Sequence, residues 1–112
     1  MADIFLSYAA DDRERVRPLV AVLEAEGWNV WWDRQITPGE IWDREIEEAV
    51  ELASCVIVVW SHVSVVSDWV RSEANEGLEK HRLVPVLIDN VRPPMVFRSI
   101  QSSFLIGWPS RE

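Results

Sequence analysis

Apolar and polar positions alternate along this chain in blocks that change period again and again. Ile4, Phe5 and Leu6 form a short apolar run that reads as a first strand, ending at Ser7 and Tyr8. Val16, Leu19, Val20 and Leu23 then repeat at helical spacing, with Asp11 and Asp12 as a start signal and Gly27 as a stop. Pro18 falls inside that helix and removes one backbone bond, so a kink or a loose first turn is expected. Trp28, Asn29, Val30, Trp31 and Trp32 read as a second strand ending at Asp33, followed by a loop whose turn signal is Pro38-Gly39. A second helix has Trp42, Ile46, Ala49, Val50 and Ala53 on its buried face. Its outer face is acidic, with Asp43, Glu45, Glu47, Glu48 and Glu51.

The unbroken run Val56, Ile57, Val58, Val59, Trp60 has no alternation, which fits a strand buried on both faces. Ser61, Ser64 and Ser67 follow, and Ser67 or Asp68 is expected to cap a third helix with Val70, Ala74, Gly77 and Leu78 on its core face. Leu83, Val84, Pro85, Val86, Leu87 and Ile88 read as a fourth strand, although a proline is out of place in an interior strand. Residues 95–100 suggest a helical turn or two, and residues 103–108 a fifth strand. Alternating strands and helices argue for an α/β fold, a flavodoxin-like five-stranded parallel sheet of order 2-1-3-4-5 with helices on both faces. In that topology ligands bind between strands one and three, at their carboxyl ends. Here those ends are Ser7-Tyr8 and Ser61-His62. A helix normally follows the fifth strand, so residues 1–112 are expected to be a single domain lacking its final helix, either excised from a longer protein or with that face covered by a partner.

Composition narrows the function. With 112 residues the chain is long enough for one domain with a core, and its net charge of −8 argues against sequence-independent nucleic-acid binding. No apolar run approaches the roughly 18 residues of a membrane span, and Met1-Ala2-Asp3 leading directly into a strand does not read as a signal peptide, so a cytoplasmic protein without membrane contact is expected. The single cysteine, Cys55, opens the third strand and reads as core, and two isolated histidines do not suggest a metal site. Scattered glycines leave no phosphate-binding loop, and no nucleophile elbow surrounds any serine that a triad of Ser61, His62 and Asp33 would need. A phospho-acceptor receiver would need an aspartate ending strand three and a lysine ending strand five, and Trp60-Ser61 and Gly107-Trp108 stand there.

The third helix holds the sharper candidate. At about 100° per residue, Trp69, Glu73 and Glu76 share one stripe beside the core face. Glu73 is thus expected at the border between core and solvent, one turn into a helix that starts beside the crevice. A solvated helix glutamate beside a surface-packed tryptophan is the plainer reading. Asp3-Ile4-Phe5-Leu6-Ser7-Tyr8-Ala9, Val30-Trp31-Trp32-Asp33, Ile36-Thr37-Pro38-Gly39-Glu40, the third strand with Ser61, and Trp69-Val70-Arg71-Ser72-Glu73 appear in order. Together they resemble a Toll/interleukin-1 receptor (TIR) domain of the bacterial kind, over nearly the whole chain.

The resemblance implies either a non-enzymatic interaction module or an NAD glycohydrolase that cleaves the nicotinamide–ribose bond, in some members with ADP-ribosyl cyclase activity. A nucleoside-processing enzyme of similar fold is a third alternative. Catalytic members carry a glutamate four residues after a tryptophan, which maps onto Glu73 and Trp69. By position, the substrate would also meet Ser7, Tyr8, Asp33, Ile36 and Ser61, with NAD as substrate and no metal or cofactor. Arg34 and Arg44 are candidates for its pyrophosphate, or ordinary surface charges. The expected setting is the effector part of a larger bacterial defence or signalling protein, joined to a sensor or scaffold domain. Head-to-tail self-association is expected to activate it, driven in part by a basic first helix (Arg13, Arg15, Arg17) and the acidic second helix with its preceding loop (Glu40 to Glu51).

Overall fold

The computed structural model describes residues 3–32, 49, 51–98 and 103–104. Strands β1 (Ile4–Ser7), β2 (Val30–Trp31), β3 (Cys55–Trp60), β4 (Leu83–Leu87) and β5 (Ser103–Phe104) form one sheet in the order β2-β1-β3-β4-β5. Every pairing is parallel, with Ile4 beside both Val30 and Cys55, and Trp60 beside Leu87. The doubly wound order expected from the alternation of periods is therefore the order observed. Helix α1 (Arg13–Ala25) follows a 3-10 turn at Ala10–Asp12, and helix α2 (Asp68–Glu79) follows a 3-10 turn at Ser64–Val66.

The two helices take opposite faces of the sheet, and strand alternation decides what each one meets. Ile4, Leu6 and Tyr8 of β1 and its end, with Ile57 and Val59 of β3, pack with Val16 and Val20 of α1. Val58 and Trp60 of β3 pack with Val70 and Ala74 of α2. Phe5 and Val56 form a neighbouring cluster with Ala53, against which Trp69 packs. Ser7 and Ser61 inherit this alternation: Ser7 belongs with Phe5 on the α2 face, and Ser61 with Val59 on the α1 face.

Two prolines that looked out of place have physical explanations. Helix α1 continues past Pro18 as a single element. What the ring forfeits is a bond to the carbonyl of Glu14, near the start of the helix. In β4, Pro85 is buried beside Val58. The carbonyl of Arg82 and the N–H of Ile88 both point to β3, so even-numbered residues face that strand and Pro85 turns its missing donor the other way. On that side β5 pairs only with Val86 and Leu87 among the described residues.

Helix α2 begins as expected, with the Ser67 hydroxyl accepting from the Val70 N–H at 3.3 Å. No described helix is long and apolar enough to cross a membrane. Where α2 crosses β3, Gly77 lies so close that an added Cβ would meet Val56 Cβ at 2.8 Å and Leu83 Cδ1 at 3.3 Å. Alanine in a helix gains about 1 kcal/mol over glycine, while overpacking a core costs about 1–3 kcal/mol. Gly77→Ala is expected to lower stability by roughly 1 kcal/mol despite the better helix former. Urea denaturation reads the difference, and a stabilised variant would contradict the close approach.

Candidate active site

Ser7 and Glu73 meet in the interior. The Ser7 hydroxyl donates to Glu73 Oε1 at 2.6 Å, and both residues are 0% exposed. The expectation that Glu73 sits at the border between core and solvent is thus corrected. Periodicity gives the direction of a helix residue but not its depth, and here α2 is pressed close to the sheet through Gly77 and Ala74. An ionised carboxylate withdrawn from water is costly unless hydrogen-bonded, and the serine at the end of β1 supplies such a bond.

A second buried carboxylate lies on the other face. Asp12 is 3% exposed and accepts a hydrogen bond from the Ser61 hydroxyl at the end of β3. The Ser61 oxygen also accepts from the N–H groups of Val63 and Ser64, at 3.2 and 3.0 Å. The Ser64 hydroxyl in turn donates to the Val59 carbonyl at 2.7 Å. Asp11 and Asp12 were expected simply to start the first helix. Asp12 occupies the N-cap position of α1 but makes no capping bond, because its carboxylate is taken by Ser61 and by Arg15 at 3.4 Å. Arg15 reaches onward to Asp89 with two bonds of 2.8 and 3.1 Å, and Asp89 accepts from the His62 N–H at 2.9 Å. This network ties the start of α1 to the segments that follow β3 and β4.

Beside these pairs lies an open cleft of about 360 Å³, lined by Tyr8, Ala9, Ala10, Asp11, Val63, Ser67, Trp69 and Val70. It sits where the chain leaves β1 and enters α2, at the crevice expected for this topology. Tyr8 and Trp69 line it, as two of the expected substrate contacts. Ser7, Ser61 and Glu73 do not line it and are fully buried. Asp33 and Ile36, and with them Arg34 and Arg44, lie outside the described residues. Glu73 stands one helical turn after Trp69, on the core side of the cleft wall.

A profile for the TIR domain matches residues 4–112. The chain belongs to the TIR-domain family. No match was found among curated protein sequences. Among solved structures, the TIR domain of the Toll-related receptor TRR-2 from Hydra magnipapillata is 27% identical with a TM-score of 0.81, covering 93% of this chain and 84% of that one. The TIR domains of the activated Roq1 resistosome, which recognises the pathogen effector XopQ, are 27% identical with a TM-score of 0.63, covering 78% of this chain and 57% of that one. A TIR-STING receptor from C. gigas, solved with 2',3'-cGAMP, is 26% identical with a TM-score of 0.75, covering 95% of this chain and 35% of that one.

The arginines expected to make the first helix of this TIR domain basic have partners within the domain, while Arg15 and Arg17 stay about half exposed. Arg15 is held by Asp89 and Asp12, and Arg17 by Glu14 at 3.0 Å. Arg13 and Arg17 both lie over the Trp32 ring, 5.3 and 5.4 Å from its centroid. Of the acidic surface, Glu51 is exposed, while Glu40, Asp43, Glu45, Glu47 and Glu48 lie outside the described residues.

The Arg15 guanidinium, hydrogen-bonded to Asp89, lowers that carboxyl from its ordinary 3.8 to about 2, helped by the His62 N–H. The folded state therefore binds fewer protons than the unfolded chain in this window. Its contribution is complete above the unfolded value and is lost as pH falls from 3.8 towards about 2. Wild-type melting temperature is expected to drop more steeply across that window than that of Asp89→Asn, which is less stable at neutral pH. Parallel slopes in thermal melts would place the dominant acid titration elsewhere.

Proposed function

We propose that this TIR domain cleaves NAD at the nicotinamide–ribose bond, with Glu73 as the catalytic carboxylate. The observation that carries the reading is Glu73 itself, a fully buried carboxylate one turn behind a tryptophan that lines the switch-point cleft. Groups held ionisable at the cost of desolvation concentrate at functional sites. TIR domains as a family include NAD-cleaving enzymes, and the pairing of Trp69 with Glu73 follows the pattern of those members.

One carboxylate suffices for the chemistry. Glycosidases that expel an alkoxide need a general acid as well as a second carboxylate. Nicotinamide in NAD is already cationic and departs neutral, taking the bonding electron pair with it. Positive charge then builds on the ribose, and an ionised Glu73 stabilises it through space or through a ribose hydroxyl. Water adding to the anomeric carbon and giving up a proton to solvent yields ADP-ribose, while attack from within the molecule gives a cyclised product. Trp69 offers its ring face to nicotinamide in the cleft.

Because Glu73 is closed off from solvent, turnover requires a rearrangement around the cleft. We assign that step to self-assembly, within a larger bacterial defence or signalling protein. A similar TIR structure comes from an activated resistosome, which supports the assignment. The second reading, a non-enzymatic interaction module, is favoured by the same closure of Glu73 and by the exposed Val63 and Val66 beside the cleft.

Purified protein incubated with NAD across a wide concentration range, with products separated by chromatography, decides between them. Specific activity is expected to rise steeply with concentration or attachment to a scaffold. Glu73→Gln keeps the size of the side chain and removes its charge, so turnover should fall by about 100-fold or more while the fold persists. Near-normal turnover in Glu73→Gln would sink the mechanism, and an inactive assembled wild type would favour the adaptor.

Trp69 allows a separate comparison. If its ring meets nicotinamide, Trp69→Phe should retain more activity than Trp69→Ala. A purely structural tryptophan would lower the melting temperature and leave turnover per folded molecule alone.

A further inference from the structure

We infer that Ser7 is a positioning residue for Glu73, not a contact for the substrate. The inference rests on the reading of Glu73 as the catalytic carboxylate. Ser7 is the last residue of β1, and strand alternation turns it to the α2 face with Phe5, away from Tyr8. It is fully buried and absent from the walls of the cleft, while Tyr8 and Ala9 immediately after it line that space. A serine hydroxyl has one hydrogen to give. Here that hydrogen goes to Glu73 Oε1 over 2.6 Å, so none remains for a ribose or an amide.

The bond does two things for a carboxylate in this setting. Donation to the charged form offsets part of the desolvation that would otherwise neutralise it. It also fixes the carboxylate plane, because one oxygen is anchored to a rigid central strand and the Cα to a packed helix. A group that must sit within a fraction of an ångström of a developing positive charge benefits from both. The strand supplies the precision, since β1 is hydrogen-bonded on both sides, to β2 and β3.

The test compares wild type, Ser7→Ala and Ser7→Thr in steady-state NAD cleavage under conditions where the wild type is assembled, with thermal melts alongside. A hydrogen bond to a charged group corresponds to roughly a 10- to 100-fold effect. Ser7→Ala is expected to lower kcat by about that factor with KM within about twofold of wild type. Ser7→Thr, which keeps the hydroxyl, should recover most of kcat. If its extra methyl prevents folding, Ser7→Cys, which keeps a weak donor, should fall between wild type and Ser7→Ala. In the Glu73→Gln background, Ser7→Ala should cost nothing further.

A raised KM with unchanged kcat would make Ser7 a substrate contact and overturn the inference. Unchanged kinetics with a lowered melting temperature would make the bond purely structural, and a raised kcat would make it a restraint; either result overturns it too. A wild type that cleaves no NAD when assembled overturns the catalytic reading of Glu73 and the role of Ser7 with it. Cleavage that is insensitive to Ser7 overturns only the present inference.

Discussion

Two serine hydroxyls bind two buried carboxylates across the middle of this sheet, and the rest of the site depends on how they cross. Ser7 ends β1 and holds Glu73, which belongs to the helix after β3. Ser61 ends β3 and holds Asp12, which stands at the start of the helix after β1. Each central strand thus secures the helix that its neighbour leads into. The arrangement follows from the doubly wound topology, in which the helices after β1 and β3, the strands flanking the switch point, lie on opposite faces. It also follows from strand alternation, which sends the two serines to opposite sides. Each bond offsets part of the several kcal/mol that placing a carboxylate in the interior would otherwise cost.

The cleft between these pairs has an apolar wall and a hidden charge. Val63, Val70 and Trp69 shape the space, and Glu73 lies behind it in the packed layer between α2 and the sheet. The enzymatic and the adaptor readings use this arrangement differently. For an enzyme, burial keeps the carboxylate dehydrated and poised until assembly shifts the wall. For an adaptor, the Ser7–Glu73 bond is a polar pin that fixes how α2 lies on β1. Trp69 belongs to both the cleft wall and the Phe5–Val56 cluster, so any movement that opened the cleft would also disturb the core.

Much of this was legible in the pattern of residues. The strand order, the Ser67 cap and the core face holding Gly77 follow from period, capping chemistry and short connections. So does the place of Trp69 at the crevice. Depth was not legible: the same stripe that carries Glu73 carries Glu76, which is half-exposed, because helical phase does not tell how closely a helix approaches its sheet. The Asp12–Ser61 bond joins residues 49 apart and has no local signature. The partners of Ser7 and Ser61 were available in principle from the alternation of β1 and β3, which assigns each serine a face. The pairing of Arg15 with Asp89, 74 residues away, also has no local signature, because charge counting along a helix ignores partners distant in sequence. Asp33 and Ile36 fall outside the described residues and add nothing to this comparison.

Pro85 has a consequence for the sheet as a whole. Its ring stands on the β5 side of β4, where an approaching backbone would seek an N–H and find none. Pairing on that side is confined to Val86 and Leu87 among the described residues, and the stretch from Leu83 to Pro85 is a poor template for an incoming strand. Val84 is the exposed apolar residue in this stretch, and a neighbouring proline blunts its tendency to recruit another chain. Among the described residues, Pro85 thereby acts as a gatekeeper on this side of β4, withholding a donor that an incoming backbone would need.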